Sequence, residues 1–224
     1  MTDPVREEAT SFLYPFLEAE ERDQDSLLAD LAASARAKAK ESAELRQSTL
    51  DACAELVETA AAEMARRFTA GGRLFAFGNG GSSTDATTLA GLFARPPLGD
   101  PLPAWSLTAD QAILTALGND VGFELVFARQ LIARGGDTDI AVAMSTSGSS
   151  RDLTAAFREA RQRGMYTIGF AGYDGGEFAD SKDVDVCFVV RSQSVHRVQE
   201  AQALLGYRLW AAVHEHLDTK GDKR

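Results

Sequence analysis

Cysteine is almost missing: Cys53 and Cys187 are all that 224 residues offer for disulfide or thiolate chemistry. They lie far apart in sequence and match no metal-ligand or redox spacing. The reading that remains is two small buried hydrophobes in a reducing compartment. No run of ~18 apolar residues occurs, so no membrane-spanning helix is expected. The opening residues, MTDPVREEATSF, are acidic and lack the apolar core of a signal segment, which predicts a cytoplasmic protein. Basic charge is also short, with 23 Lys and Arg against 33 Asp and Glu and a formal net charge of −10. That excess disfavours direct binding to nucleic acid or to an anionic membrane. One local pocket for a single phosphate is compatible with it.

What is present suffices for one α/β domain, since 45% of the residues are hydrophobic. Ser11 to Glu20 carries Phe12, Leu13, Phe16 and Leu17, the pattern of a short amphipathic helix that Pro15 interrupts. From Ser26 to Phe68 there is neither Gly nor Pro, and alanine is frequent. The leucines of this stretch form no single heptad seam, so two helices or a bent one are expected. So much apolar face predicts packing on a second copy as well as on a sheet. Residues 1–70 therefore read as a helical arm used in oligomerisation, and 71–224 as the α/β domain.

The stretch RLFAFGNGGSSTD, from Arg73 to Asp85, organises that domain. Leu74 to Phe77 has the length and character of a buried parallel strand. The glycine turn Gly78-Asn79-Gly80-Gly81 follows, then the capping residue types Ser82-Ser83-Thr84-Asp85, then a helical run to about Arg95. Strand, glycine turn and helix start together make a cradle for an anion, because backbone can approach closely and first-turn amides are free to donate.

Further strands are read at Ala104 to Leu107, Thr138 to Ala143, Met165 to Phe170 and Val184 to Val189. Helices are read at Asp110 to Leu117, Val121 to Ala133, Asp152 to Arg163 and Gln193 to Leu217, the first two separated by a turn at Gly118-Asn119-Asp120. The charged tail from Asp218 is expected to fray. Such alternation calls for a parallel sheet with both faces covered, and ligands there sit beyond the carboxyl ends of the strands. Straight after the third strand comes Ser145-Thr146-Ser147-Gly148-Ser149-Ser150, five hydroxyls around one glycine at a strand-to-helix junction. Ser and Thr are ordinary capping residues, but two such junctions at one end of a sheet favour phosphate.

In order and spacing these blocks resemble the SIS (sugar isomerase) family. The resemblance is carried by the glycine loop, LGNDVGFELVF at Leu117 to Phe127, the STSGSS loop and GYDGGE at Gly172 to Glu177. HRVQEAQ, from His196 to Gln202, is similar to the phosphoheptose isomerase branch. The likeness runs from about Ala60 to Leu217. It implies a flavodoxin-like five-stranded parallel sheet, assembled as a homotetramer with sugar-phosphate sites at subunit interfaces. By that resemblance Asn79, Gly80 and Ser82 fall on a sugar-binding loop, and Ser145, Thr146, Ser147 and Ser150 on a phosphate-binding loop. Asp110 and Gln199 match further site positions, and Ser149 stands where the branch usually has Asn.

Aldose–ketose isomerisation needs one group to take a proton from carbon and another to protonate the enediol. The resemblance assigns these roles to a Glu after the glycine loop and a His in the last helix. Here those positions hold Leu92 and Tyr207, and a further zinc-binding His is replaced by Thr88. Leucine transfers no proton, and one remaining Gln ligand holds no zinc, so neither metal nor other cofactor is expected. Tyr207, with a pKa near ~10, is a poor base. His196, one helical turn before Gln199, is either a substitute catalytic group or a helix cap. Glu200 points to another face, and His214 and His216 are expected at the surface. Two readings stay open. One is a phosphosugar-binding, regulatory protein with an unknown protein partner; the other is an isomerase using other residues such as His196.

Overall fold

The computed structural model describes residues 24–221, and the expected helix at Ser11 to Glu20 lies outside them. The chain divides into two compact units, residues 1–43 and 44–224. In the first, the described residues belong to the start of helix α1 (Gln24–Thr69), and nearly all are exposed, Leu27, Leu28 and Leu31 included. The stretch expected to form two helices or a bent one is thus a single helix of 46 residues. Without Gly or Pro nothing interrupts its hydrogen-bond ladder.

The second unit is built on five strands: β1 (Leu74–Gly78), β2 (Ala104–Ser106), β3 (Ile140–Met144), β4 (Tyr166–Gly172) and β5 (Val186–Val190). All pairings are parallel, and the order is β2-β1-β3-β4-β5, the flavodoxin-like arrangement expected. The central strands β1, β3 and β4 are buried at every position, as a sheet covered on both faces requires. One face, with Leu74, Val142, Ile168 and Phe170, packs on the second half of α1 through Val57, Ala60 and Met64. It also packs on α2 (Gly81–Ala94) and α7 (Val195–Gly221). The other face, with Phe75, Phe77 and Ala143, packs on α4 (Val126–Arg134) and α5 (Arg151–Gln162).

One local expectation is corrected. The turn placed at Gly118-Asn119-Asp120 is helical, inside α3 (Gln111–Asp120). The chain leaves that helix at Val121 and Gly122, whose N–H groups both donate to Leu117 O at 3.0 Å. Gly122, at φ 110°, adopts the backbone that breaks the helix. A short helix α6 (Gly176–Asp180) lies between β4 and β5, in a stretch left unassigned above. Cys53 is buried and Cys187 half-buried; both are free thiols. Burial pushes both up, Cys187 to about 12, so neither is a thiolate at neutral pH. No helix among the described residues is long and apolar enough to cross a membrane.

Just before β3, Asp139 is 1% exposed and pins the start of the sheet. Its carboxylate accepts from the backbone N–H of Arg73 and of Gly136, each at 2.8 Å, and from the Arg73 guanidinium at 2.8 and 3.2 Å. The Arg73 side chain is 40% exposed, so solvent weakens the ionic part, and the two backbone donors carry most of the effect. Asp139→Ala strands both and is expected to lower unfolding free energy by about 2–4 kcal/mol in urea titration.

Candidate functional site

The strand order reverses between β1 and β3, which pair in register with Gly78 opposite Met144. The two chains therefore leave the sheet side by side, each turning directly into a helix, and this switch point is where open α/β sheets place ligands. Residues Asn79 and Gly80 lead into α2. Gly80, at φ 54°, occupies the N-cap position, so that helix start has no side-chain cap. The second loop, Ser145 to Ser150, leads into α5; Ser150 is at the N-cap, and its hydroxyl makes no capping bond either. Ser83, in the first turn of α2, donates its hydroxyl to Gly80 O at 2.6 Å, whereas the Ser150 hydroxyl is not consumed in capping α5.

The second loop is held from three sides. Ser145 Oγ accepts from the Gly148 N–H at 3.0 Å, and Gln202 Nε2 donates to Ser145 O at 2.7 Å. The segment after β4 braces it from beneath: Gly172 N–H donates to Thr146 O at 3.0 Å and Phe178 N–H to Gly148 O at 3.1 Å. Gly148 sits at φ 67°, and a Cβ there would lie 2.2 Å from Gly175 O, so only glycine lets the backbones meet. The GYDGGE block thus acts as a seat for the serine loop. The two loops are tied by Asn79, whose Nδ2 donates to both carboxylate oxygens of Asp152 at 3.1 and 2.9 Å. Burial pushes the Asp152 carboxyl up, against the hydrogen bonds from Asn79 and from nearby backbone that pull it down.

Of the residues singled out from sequence, Asn79, Gly80, Ser82, Ser145, Thr146, Ser147 and Ser150 sit on these two loops or in the first turn of α2. Gln199 joins them from α7: its Nε2 is 2.4 Å from where a Cβ on Gly81 would stand. Ser147 and Gly80 are exposed, Ser82 and Ser145 buried, and the rest half-buried. Asp110 is used differently. It is exposed, caps α3 by accepting from the Ile113 N–H at 3.1 Å, and lines a shallow depression with Trp105 and Arg134. His196 is exposed in the first turn of α7. His214 corrects the expectation of a surface residue: it is 8% exposed, packed on Trp210 at 5.2 Å and under Gly99, and burial lowers its pKa.

Thr88 and Leu92 of α2 and Tyr207 of α7 converge on one small cavity of about 50 Å³ between the two helices. Sequence reasoning did not find the polar residues that share it, Asp85 and Gln202. It also missed Asp152, whose only local signal is its place directly after the serine loop. Among the described residues, no three His, Cys, Asp or Glu side chains group closely enough to hold a metal. A zinc ion requires three or four N, S or carboxylate ligands, and one carboxylate beside one carboxamide does not fit it.

With this geometry in place, comparison with known proteins is specific. The SIS domain model matches residues 39–172. The phosphoheptose isomerase of Solidesulfovibrio magneticus is 42% identical over 170 residues, covering 73% of this chain and 80% of that protein. Among solved structures, a phosphoheptose isomerase from Neisseria gonorrhoeae superposes with a TM-score of 0.76 at 34% identity. It covers 82% of this chain and 98% of its own. One from Francisella tularensis gives a TM-score of 0.77 at 28% identity with the same coverage. The chain belongs to the SIS domain family, in its phosphoheptose isomerase-like branch.

Proposed function

We propose that this protein binds a sugar phosphate on its two loops and does not interconvert heptose phosphates by the acid–base pair of its relatives. The observation that carries this reading is the wall of the cavity between α2 and α7. Leu92 and Tyr207 stand there at the positions where the family resemblance places a Glu and a His, while the loops keep their hydroxyls and uncapped helix starts. Binding without turnover suits a regulatory protein for which the phosphosugar is a signal, passed on to a protein partner. His196 is exposed at the start of α7 and is not among the residues that line the cavity with Leu92 and Tyr207.

Three measurements test the reading. In calorimetry with sedoheptulose 7-phosphate, Ser147→Ala with Ser150→Ala removes charge-assisted hydrogen bonds worth about 1.5–3 kcal/mol each, so affinity is expected to fall at least ~10²-fold. Unchanged affinity would sink the loop assignment.

A coupled isomerase assay should find no useful turnover, because each lost acid–base group typically contributes ~10²–10⁴-fold. Leu92→Glu combined with Tyr207→His and Thr88→His is the corresponding gain-of-function variant. Turnover of several per second by the unmodified protein overturns the proposal.

The exposed leucines of α1, Leu27, Leu28, Leu31 and Leu56, support assembly of several copies. We assign a tetramer, and light scattering should return four times the 24.0 kDa chain mass; a stable monomer at micromolar concentration contradicts it.

A further inference from the structure

The free edge of the sheet carries a group of side chains that neither loop uses. Strand β2 pairs only with β1, and the register sets Trp105 beside Phe75. Their rings stack, with centroids 6.1 Å apart and planes 27° apart. Trp105 is 48% exposed, whereas the other aromatic residues of the five strands are buried. At the amino end of β1, the Arg73 guanidinium lies 5.4 Å from the centre of the Phe75 ring. Together with Arg134, from the last turn of α4, these three residues line a surface depression of about 280 Å³.

Two arginines and two aromatics, with no carboxylate among them, stand out on a protein that carries −10. Arg73 is held in place before any ligand arrives. Its Nε and Nη2 donate to Asp139, and Nη2 donates also to Arg134 O at 2.6 Å. Both N–H groups of its Nη1 remain without a partner among the described residues. Arg134 is exposed, and its guanidinium makes no hydrogen bond or ion pair among the described residues. An adjoining depression of about 490 Å³ shares Trp105 and Arg134 and runs on to Ser106, Asp110 and Gln111. The Asp110 carboxylate repels an anion at that end, which directs one to the arginines.

These features select one kind of ligand. A bare anion uses the arginines and leaves the Trp105 ring in water. An uncharged aromatic covers the ring and leaves the guanidinium donors idle. A flat ring that carries a phosphate uses both, because arginine donates to phosphate in a fork and nucleobases stack on aromatic faces. The two adjoining spaces suit a small molecule, whose sites span ~300–1,000 Å³. A nucleic-acid strand fits less well, since it needs a track of cations and this edge offers two on an acidic protein.

We propose that this edge is a second ligand site, for a nucleoside monophosphate whose base stacks on Trp105 and whose phosphate is held by Arg134 and by Nη1 of Arg73. Asp110 and Gln111, in the adjoining depression, are left to meet the hydroxyl and amino groups of the nucleoside. The site shares no residue with the glycine and serine loops, so it stands or falls independently of the phosphosugar reading.

Trp105 is also the reporter. The chain has two tryptophans, and the other, Trp210, is 4% exposed. Titration of the full chain with adenosine 5′-monophosphate is expected to quench tryptophan fluorescence to saturation. Adenosine and inorganic phosphate should each bind at least ~10-fold more weakly. In calorimetry, Trp105→Ala and Arg134→Ala are each expected to lose at least ~10-fold in affinity for the nucleotide. Trp105→Phe keeps a ring to stack on and should retain most of it. Ser147→Ala with Ser150→Ala should bind the nucleotide as the wild type does. No binding at millimolar nucleotide, or unchanged affinity in both Trp105→Ala and Arg134→Ala, overturns the proposal. Loss of nucleotide binding in the serine-loop variant moves the ligand to that loop and overturns it as well. So does tighter binding of an oligonucleotide than of the mononucleotide. A lower mass by light scattering for Trp105→Ala or Arg134→Ala makes this edge an interface between copies, which also overturns it.

Discussion

The parallel pairing of β1 with β3 is the constraint on which the rest of this molecule depends. Because Gly78 and Met144 lie opposite each other, the glycine loop and the serine loop start one strand spacing apart, about 4.8 Å. Only at that separation can Asn79 reach Asp152, and only there do the starts of α2 and α5 face a common space. The crossover rule supplies the rest. One connection runs toward β2 and the other toward β4, so no helix is laid over the gap between them.

A second close contact decides what lies beneath that gap. Gly206 brings α7 against Leu89 of α2, so the residues on the facing sides of these helices share one small space with the ends of the loops. That space mixes apolar and polar side chains. Leu92 and Tyr207 line it beside Asp85 and Gln202, whose Oδ2 and Oε1 are buried without a hydrogen-bond partner. Unsatisfied buried atoms persist in native proteins mainly where something other than stability requires them.

How much of this was legible in the sequence follows the range of the interactions. The loops were legible because clusters of glycine and hydroxyl residues at strand ends are local signals, and the strand order followed from alternation plus family resemblance. The long helix was left open between two helices and a bent one, because irregular leucine spacing suggests a break where no breaker residue exists; it is one helix. The exit from α3 was misplaced by three residues, since Asn119 and Asp120 resemble a turn while Gly122 makes it. His214 looked terminal and solvated, but the loop carrying Gly99 folds over it. The positioning role of Asp152 depends on a partner 73 residues away, and no local pattern reports such a distance. Asp85 was hidden for the same reason. Its residue type suited a helix start, and only the approach of α7 turns it inward.

The chemistry of the two loops also has a kinetic consequence. From Gly78 to Ser82 and from Ser145 to Ser150 there is no Lys or Arg, and the two charged residues that follow the second loop, Arg151 and Asp152, are opposite in sign, so the proposed ligand meets hydroxyls and amides with no net charge beside them. The protein as a whole carries −10. The proposed phosphate monoester ligand is therefore repelled at long range and held at short range by hydroxyls and amides. Added salt screens the repulsion within a Debye length of about 10 Å at 0.1 M, yet barely touches the enclosed hydrogen bonds. On that reading, capture of the proposed phosphosugar accelerates as ionic strength rises, the reverse of the behaviour that a basic anion site imposes.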